Sequence, residues 1–125
     1  MAEKVKIVKG QDLEDGPPTP GMARRQVDIA DDAAMMEVRT DAGVTSGWHH
    51  HGDNTTYGFV VSGRVKVEFG AGGSEVLEGG PGDVFMVPPH TVHREGNPGD
   101  ETHLLLAIRV GTGPTVINVD GPDQG

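Results

Sequence analysis

Residues 82–97 read GDVFMVPPHTVHREGN, and this stretch decides how the chain is to be parsed. Gly82-Asp83 closes the turn GGPGD at 79–83. Val84 to Val87 is then an apolar run of strand length, and Pro88-Pro89 cannot donate to a ladder and so ends it. Thr91 to Arg94 resumes an extended run that carries His93. Moving backward, Glu75 to Leu77 follows a loose turn at Gly70 to Ser74. In Arg64 to Phe69, Val65, Val67 and Phe69 alternate with Arg64, Lys66 and Glu68, which predicts a strand with one wet face. Ser62-Gly63 is a tight-turn signal, predicting an antiparallel hairpin between Tyr57 to Val61 and the 64–69 run.

Farther out the same grammar repeats. Met35 to Thr40, Arg25 to Ile29 and the alternation of Val5 and Ile7 with Lys4 and Lys6 read as strands, and Gly10 to Gly21 is a loop by its Pro and Gly content. Leu104 to Val110 (LLLAIRV) is apolar on both faces, as a central strand should be. Only DDAAMME at 31–37 offers a helical turn. About ten short strands at roughly regular spacing predict an all-β fold, a sandwich or barrel of the jelly-roll kind. Residues 1–21 are expected to form an N-terminal strand and arm, and residues 22–125 one barrel domain.

Composition narrows the chemistry. At 125 residues and 13.1 kDa the chain has the size of one domain. Its 20 Gly and 9 Pro fall between apolar runs, which favours turns over disorder. With no Cys, a metal site must be built from His, Asp or Glu, so the six His carry weight. A formal charge of -9 repels nucleic-acid phosphates and anionic lipid, so neither is an expected partner. The N-terminus MAEKVKIVKG has no apolar leader core and no stretch is long enough to span a bilayer, so a cytoplasmic location is expected.

Period-two geometry in Gly47-Trp48-His49-His50-His51 points His49 and His51 to one face and His50 to the other. His93, on its later strand, could face the pair across a barrel interior. Spacing leaves two alternatives open: an exposed polar strand end for the HHH run, and a hydrogen-bonded core residue for His93.

Residues 47–63, GWHHHGDNTTYGFVVSG, resemble the first motif of the cupin family, with its His-x-His pair and closing glycine, and residues 82–97 resemble the second, with Gly82, Pro88, His93 and Asn97 at the family's intervals. The resemblance implies a double-stranded β-helix barrel, with His49, His51 and His93 matching three of the four usual metal ligands. The fourth is usually a Glu seven residues before the closing glycine. Here that position is Thr56, and a one-residue slip gives Thr55. His90 stands where the second motif usually carries Gly.

Three neutral imidazoles leave a divalent ion its full charge and open positions, which favours anionic chelating ligands. On ligand grounds Fe(II) is the first choice and Zn(II) the second, with Ni(II) and Cu(II) compatible and Mn(II) less suited. Three-histidine cupins include iron dioxygenases, so the resemblance implies an oxygenase. A metal-dependent isomerase or lyase, with His90 moving a proton, and a non-catalytic ligand- or metal-binding module are the alternatives. Thr56, Gly58 and His103 are candidate pocket residues, Gly58 by leaving space and His103 as a donor to a ligand or a strand-end residue. Asp53 reaches a metal only if its loop folds inward. Arg24, Arg25, Arg39 and Arg94 are expected mostly in surface pairs, and a homodimer is expected from the family resemblance and the N-terminal arm.

Overall fold

The computed structural model describes residues 4–17 and 19–124; the first three residues of the expected arm, Pro18 and Gly125 lie outside the described residues. Eleven strands are present among them: β1 Glu14–Asp15, β2 Met22–Ala30, β3 Ala33–Thr40, β4 His49–His50, β5 Thr55–Ser62, β6 Val65–Phe69, β7 Glu75–Gly79, β8 Val84–Val87, β9 His93–Gly96, β10 His103–Val110 and β11 Ile117–Asn118. They form two antiparallel sheets, a six-stranded one in the order β1-β2-β3-β10-β5-β8 and a five-stranded one in the order β11-β4-β9-β6-β7. No α-helix occurs among the described residues.

The all-β expectation is met, and three local readings are corrected. Residues 31–37 make a turn and then enter β3, since Ala33 to Met36 gain ladder partners on both β2 and β10 that a helical turn could not offer. Lys4 to Val8 is not a strand: Val5 and Ile7 are exposed, with no ladder to join, and the short β1 arises within the predicted loop by pairing Glu14 and Asp15 with β2. Ser62-Gly63 is a crossing between sheets and not a hairpin, because β5 pairs with β10 and β8 while β6 pairs with β7 and β9. Gly63 turns at φ +80°, and a Cβ there would lie 2.7 Å from the Cβ of His103.

Between the sheets, alternate residues interleave as the period-two pattern requires. The apolar core comprises Met22, Met36, Val38, Val60, Val65, Val67, Leu105 and Ala107, with Phe69 and Phe85 packed against it. Val60 is wholly shielded, and a buried side chain of this kind contributes about 1.5–3 kcal/mol. As expected, β10 is central, lying between β3 and β5. Its interior face runs His103, Leu105, Ala107, Arg109, so one strand carries polar groups at both ends of the core.

Candidate metal centre

β4 and β9 are neighbours, and their pairing sets His49 directly against His93. Two residues along from His49, on the same face, His51 completes a group of three buried histidines with ligand-capable atoms within 4.8 Å of one another. The ring centroids of His49 lie 5.0 Å from His51 and 4.4 Å from His93.

Each imidazole is held by its own backbone acceptor. His49 Nδ1 donates to Gly47 O at 2.8 Å, His51 Nδ1 to Thr115 O at 2.7 Å and His93 Nδ1 to Thr91 O at 2.9 Å. A carbonyl can only accept, so Nδ1 carries the proton and the lone pair sits on Nε2, the arrangement that orients a metal-ligating histidine. His93 Nε2 is buried with no hydrogen-bond partner. Burial, and next the positive charge of Arg109, pushes the His51 imidazole down to about 3. Burial also lowers His49, against the opposing pull of Glu95. Three Nε2 lone pairs converging in this way fit a divalent cation, and the lowered His49 and His51 leave little competition from protons at those two ligands.

The C-terminal segment steadies this arrangement. Besides Thr115 O, which fixes His51, Thr112 O and Pro114 O accept from Asn54 Nδ2 at 3.4 and 3.2 Å, and the same amide donates to His51 O at 3.0 Å. His50, by contrast, turns away, and its Nδ1 accepts from Gly52 N.

Two charged groups at the centre escaped the sequence reading. Glu95 lies two residues after His93 on the same face of β9 and is partly buried. Burial alone would raise its carboxyl, but the electrostatic influence of His93, then His49, His51 and Arg109, outweighs that and holds it below its ordinary value. Arg109 is 8% exposed, and burial lowers its guanidinium against the favourable charge of Glu95. Period two found both positions in principle: counting on from His93 gives Glu95, and counting on from His103 through Leu105 and Ala107 gives Arg109. The apolar look of LLLAIRV hid the second.

The remaining candidates are dispersed. Thr56 is buried and interior, with Oγ1 lacking a partner, and its ladder neighbours are Val87 and Arg109. Gly58 does not open pocket space: it pairs with Phe85, and the Phe85 ring fills the place a Cβ would take. His103 is buried but stands six positions from Arg109, roughly 20 Å along the strand. It donates to Arg64 O at 2.7 Å, so the structure does not bring it to the three histidines. His90 adopts φ +56°, the left-handed region, which accounts physically for a glycine being usual there. Its exposed Nε2 donates to Asp53 Oδ1 at 2.7 Å, which turns Asp53 to the rim and not inward. Arg25 and Arg39 pair with Glu37, Arg94 pairs with Glu68 and lies 4.6 Å over Trp48, and Arg24 bonds Thr19.

A cavity of about 550 Å³ opens between β6, β7 and β8 and reaches the centre at His93. Its other walls are mostly apolar, Val60, Val67, Phe69, Phe85 and Val87 among them.

Comparison with known proteins agrees with this layout. The family described as Cupin domain matches residues 36–109. The germin-like protein subfamily T member 3 of Arabidopsis thaliana is 36% identical over 90 residues, covering 69% of this chain and 39% of the relative, so the chain spans well under half of that protein. Among solved structures, an oxalate decarboxylase of Bacillus subtilis with Mn(II) centres superposes with a TM-score of 0.72 at 21% identity, covering 82% of this chain and 29% of that one. The oxalate decarboxylase of Lactobacillus farciminis gives 0.75 at 21%, covering 87% and 34%. KdgF from a Halomonas species gives 0.72 at 24%, covering 86% of this chain and 96% of that chain.

Proposed function

This chain belongs to the cupin domain family and carries a centre suited to a divalent metal, and from that premise we propose that it is a non-haem metal-dependent oxygenase of a small anionic, chelating substrate. His49, His51 and His93 are the ligands in this reading, and Fe(II) is the preferred ion. The supporting observation is the donor set: three imidazoles whose Nδ1 protons are all engaged by carbonyls, with Thr56 where the family's carboxylate usually stands. When bound, such an ion supplies Lewis acidity and, if iron, a redox couple. The chain's own contribution is to hold three lone pairs convergent, to exclude water by burying the ligands, and to offer an apolar cavity ending at His93.

The test is the metal content of protein purified without added metal or chelator, followed by oxygen uptake with a panel of diketones, thiols and hydroxy acids. Stoichiometric iron and uptake with one class supports the reading. Metal-replete protein inert to oxygen with all of them removes it.

A second reading, a Lewis-acid isomerase or lyase, is favoured by Glu95, a partly buried carboxylate on the same face of β9 as His93 that can accept a proton. In that reading the His90–Asp53 pair is a rim proton relay. Turnover without oxygen uptake separates the two.

The same proposal takes the protein as a homodimer. Supporting it are Tyr57, Phe59 and Val61, exposed on the outward face of β5, with Val84 and Met86 exposed beside them on β8, an apolar surface of the kind that marks association. Light scattering that gives the monomer mass of 13.1 kDa at micromolar concentrations would remove it.

A further inference from the structure

Arg109 is a cation without a fixed anion. It projects from the interior face of β10, Nε is buried with no hydrogen-bond partner, and no carboxylate lies within ion-pair range of it among the described residues. Arg25, Arg39, Arg64 and Arg94 all pair with glutamates. A buried guanidinium left in this state is costly, and a fold keeps one when something else completes it.

Its surroundings say what is missing. Directly across the ladder stands Thr56, at the position where the first motif usually has its acid. A glutamate there would face Arg109. The short neutral side chain of Thr56 offers the guanidinium no counter-charge. Glu95 is close enough for its charge to act on Arg109, but it also faces the three imidazoles. With a divalent ion in place, the ion and Arg109 outweigh the single carboxylate, leaving a net positive interior.

We infer that Arg109 anchors a carboxylate of the substrate, which is therefore a small carboxylate-bearing chelator held between the metal centre and the guanidinium. This rests on the three-histidine reading above. A planar fork suits a carboxylate in two parallel hydrogen bonds, which a diketone lacking that group cannot use.

The experiment uses protein loaded with Zn(II), checked for stoichiometric metal, and titrated calorimetrically with oxalate and with acetylacetone, a chelator without a carboxylate. Arg109→Gln should weaken oxalate by about tenfold or more and acetylacetone, which binds as a singly charged enolate, far less, and Arg109→Lys should fall between. Thr56→Glu, which leaves Arg109 in place but gives it a resident anion, should also weaken oxalate and serves if Arg109→Gln does not fold. Unchanged oxalate affinity in a folded, metal-replete Arg109→Gln or Thr56→Glu protein overturns the inference. So does equal weakening of both ligands by Arg109→Gln, the mark of a structural role, or a zinc-loaded parent that ignores oxalate. A parent that takes up no zinc fails earlier, at the three-histidine reading, and removes the inference with it.

Discussion

Thr56 and Arg109 stand opposite each other on β5 and β10, both buried and both turned to the interior. Thr56→Glu therefore sets a carboxylate beside a guanidinium and near three imidazoles. Manganese affinity should rise, because carboxylate oxygen suits that ion better than imidazole alone. Metal titration of folded parent and variant checks this; equal manganese affinity would show that position 56 does not reach the ion.

His49→Ala and His93→Ala should each abolish stoichiometric metal binding, and His50→Ala should not, since its side chain turns away from the group. Elemental analysis after dialysis reads the result. Removing the His93 ring, only 1% exposed, should also cost about 1–3 kcal/mol of apo-protein stability. Full metal content in both alanine variants would end the ligand assignment.

His90→Gly should stabilise the fold by about 1 kcal/mol, because glycine takes the left-handed backbone at φ +56° without the Cβ conflict. Metal content should stay at the parent level. Chemical denaturation measures the gain, and a variant less stable than the parent would show that the hydrogen bond to Asp53 outweighs the backbone relief.

Acid should loosen the face of the smaller sheet at Glu68. The Arg94 hydrogen bond, and then Lys66 at 3.3 Å, hold its carboxyl below the ordinary 4.5. Its folded form thus binds protons less readily than the unfolded chain, so the pair's contribution is complete above about 4.5 and is lost as pH falls through the folded value. For a partly exposed pair this is about 0–1 kcal/mol. Glu68→Gln should flatten that part of the acid limb in a pH series of denaturation curves; an unchanged slope would contradict it.

What the sequence revealed follows from which signals are local. The alternation of His49 and His51 is a property of adjacent residues, and it survives folding intact. The resemblance around Gly82 to Asn97 likewise carried His93 to the right strand face. The Ser62-Gly63 reading failed because a turn signal tells where the chain bends and not which strand it will pair with; β5 found β10, more than forty positions on. Arg109 was overlooked because six apolar neighbours make its strand look uniformly greasy, and Glu95 because an acid beside Arg94 looks like surface. Gly58 was read as empty space, when the volume belongs to Phe85 on another strand. Val5 and Ile7 alternate correctly and still form no strand, since a ladder needs a partner that alternation cannot supply.

β4 and β11 are two residues each, paired through His49 with Asn118 and His50 with Ile117 and by one flanking bond from Val119 N to Trp48 O, and β4 touches β9 through one pair, His49 with His93. So little ladder leaves this end of the smaller sheet prone to fraying, and an ion bridging both strands would act there as a clasp. Occupancy becomes legible in the backbone: amide hydrogens of β4 and β11 should exchange fast in apo protein and slow markedly once metal is bound, while those of β3 and β10 scarcely change. The smaller sheet would then be finished by its cargo, and starvation for metal would show first as a loosened edge, well before any loss of the barrel.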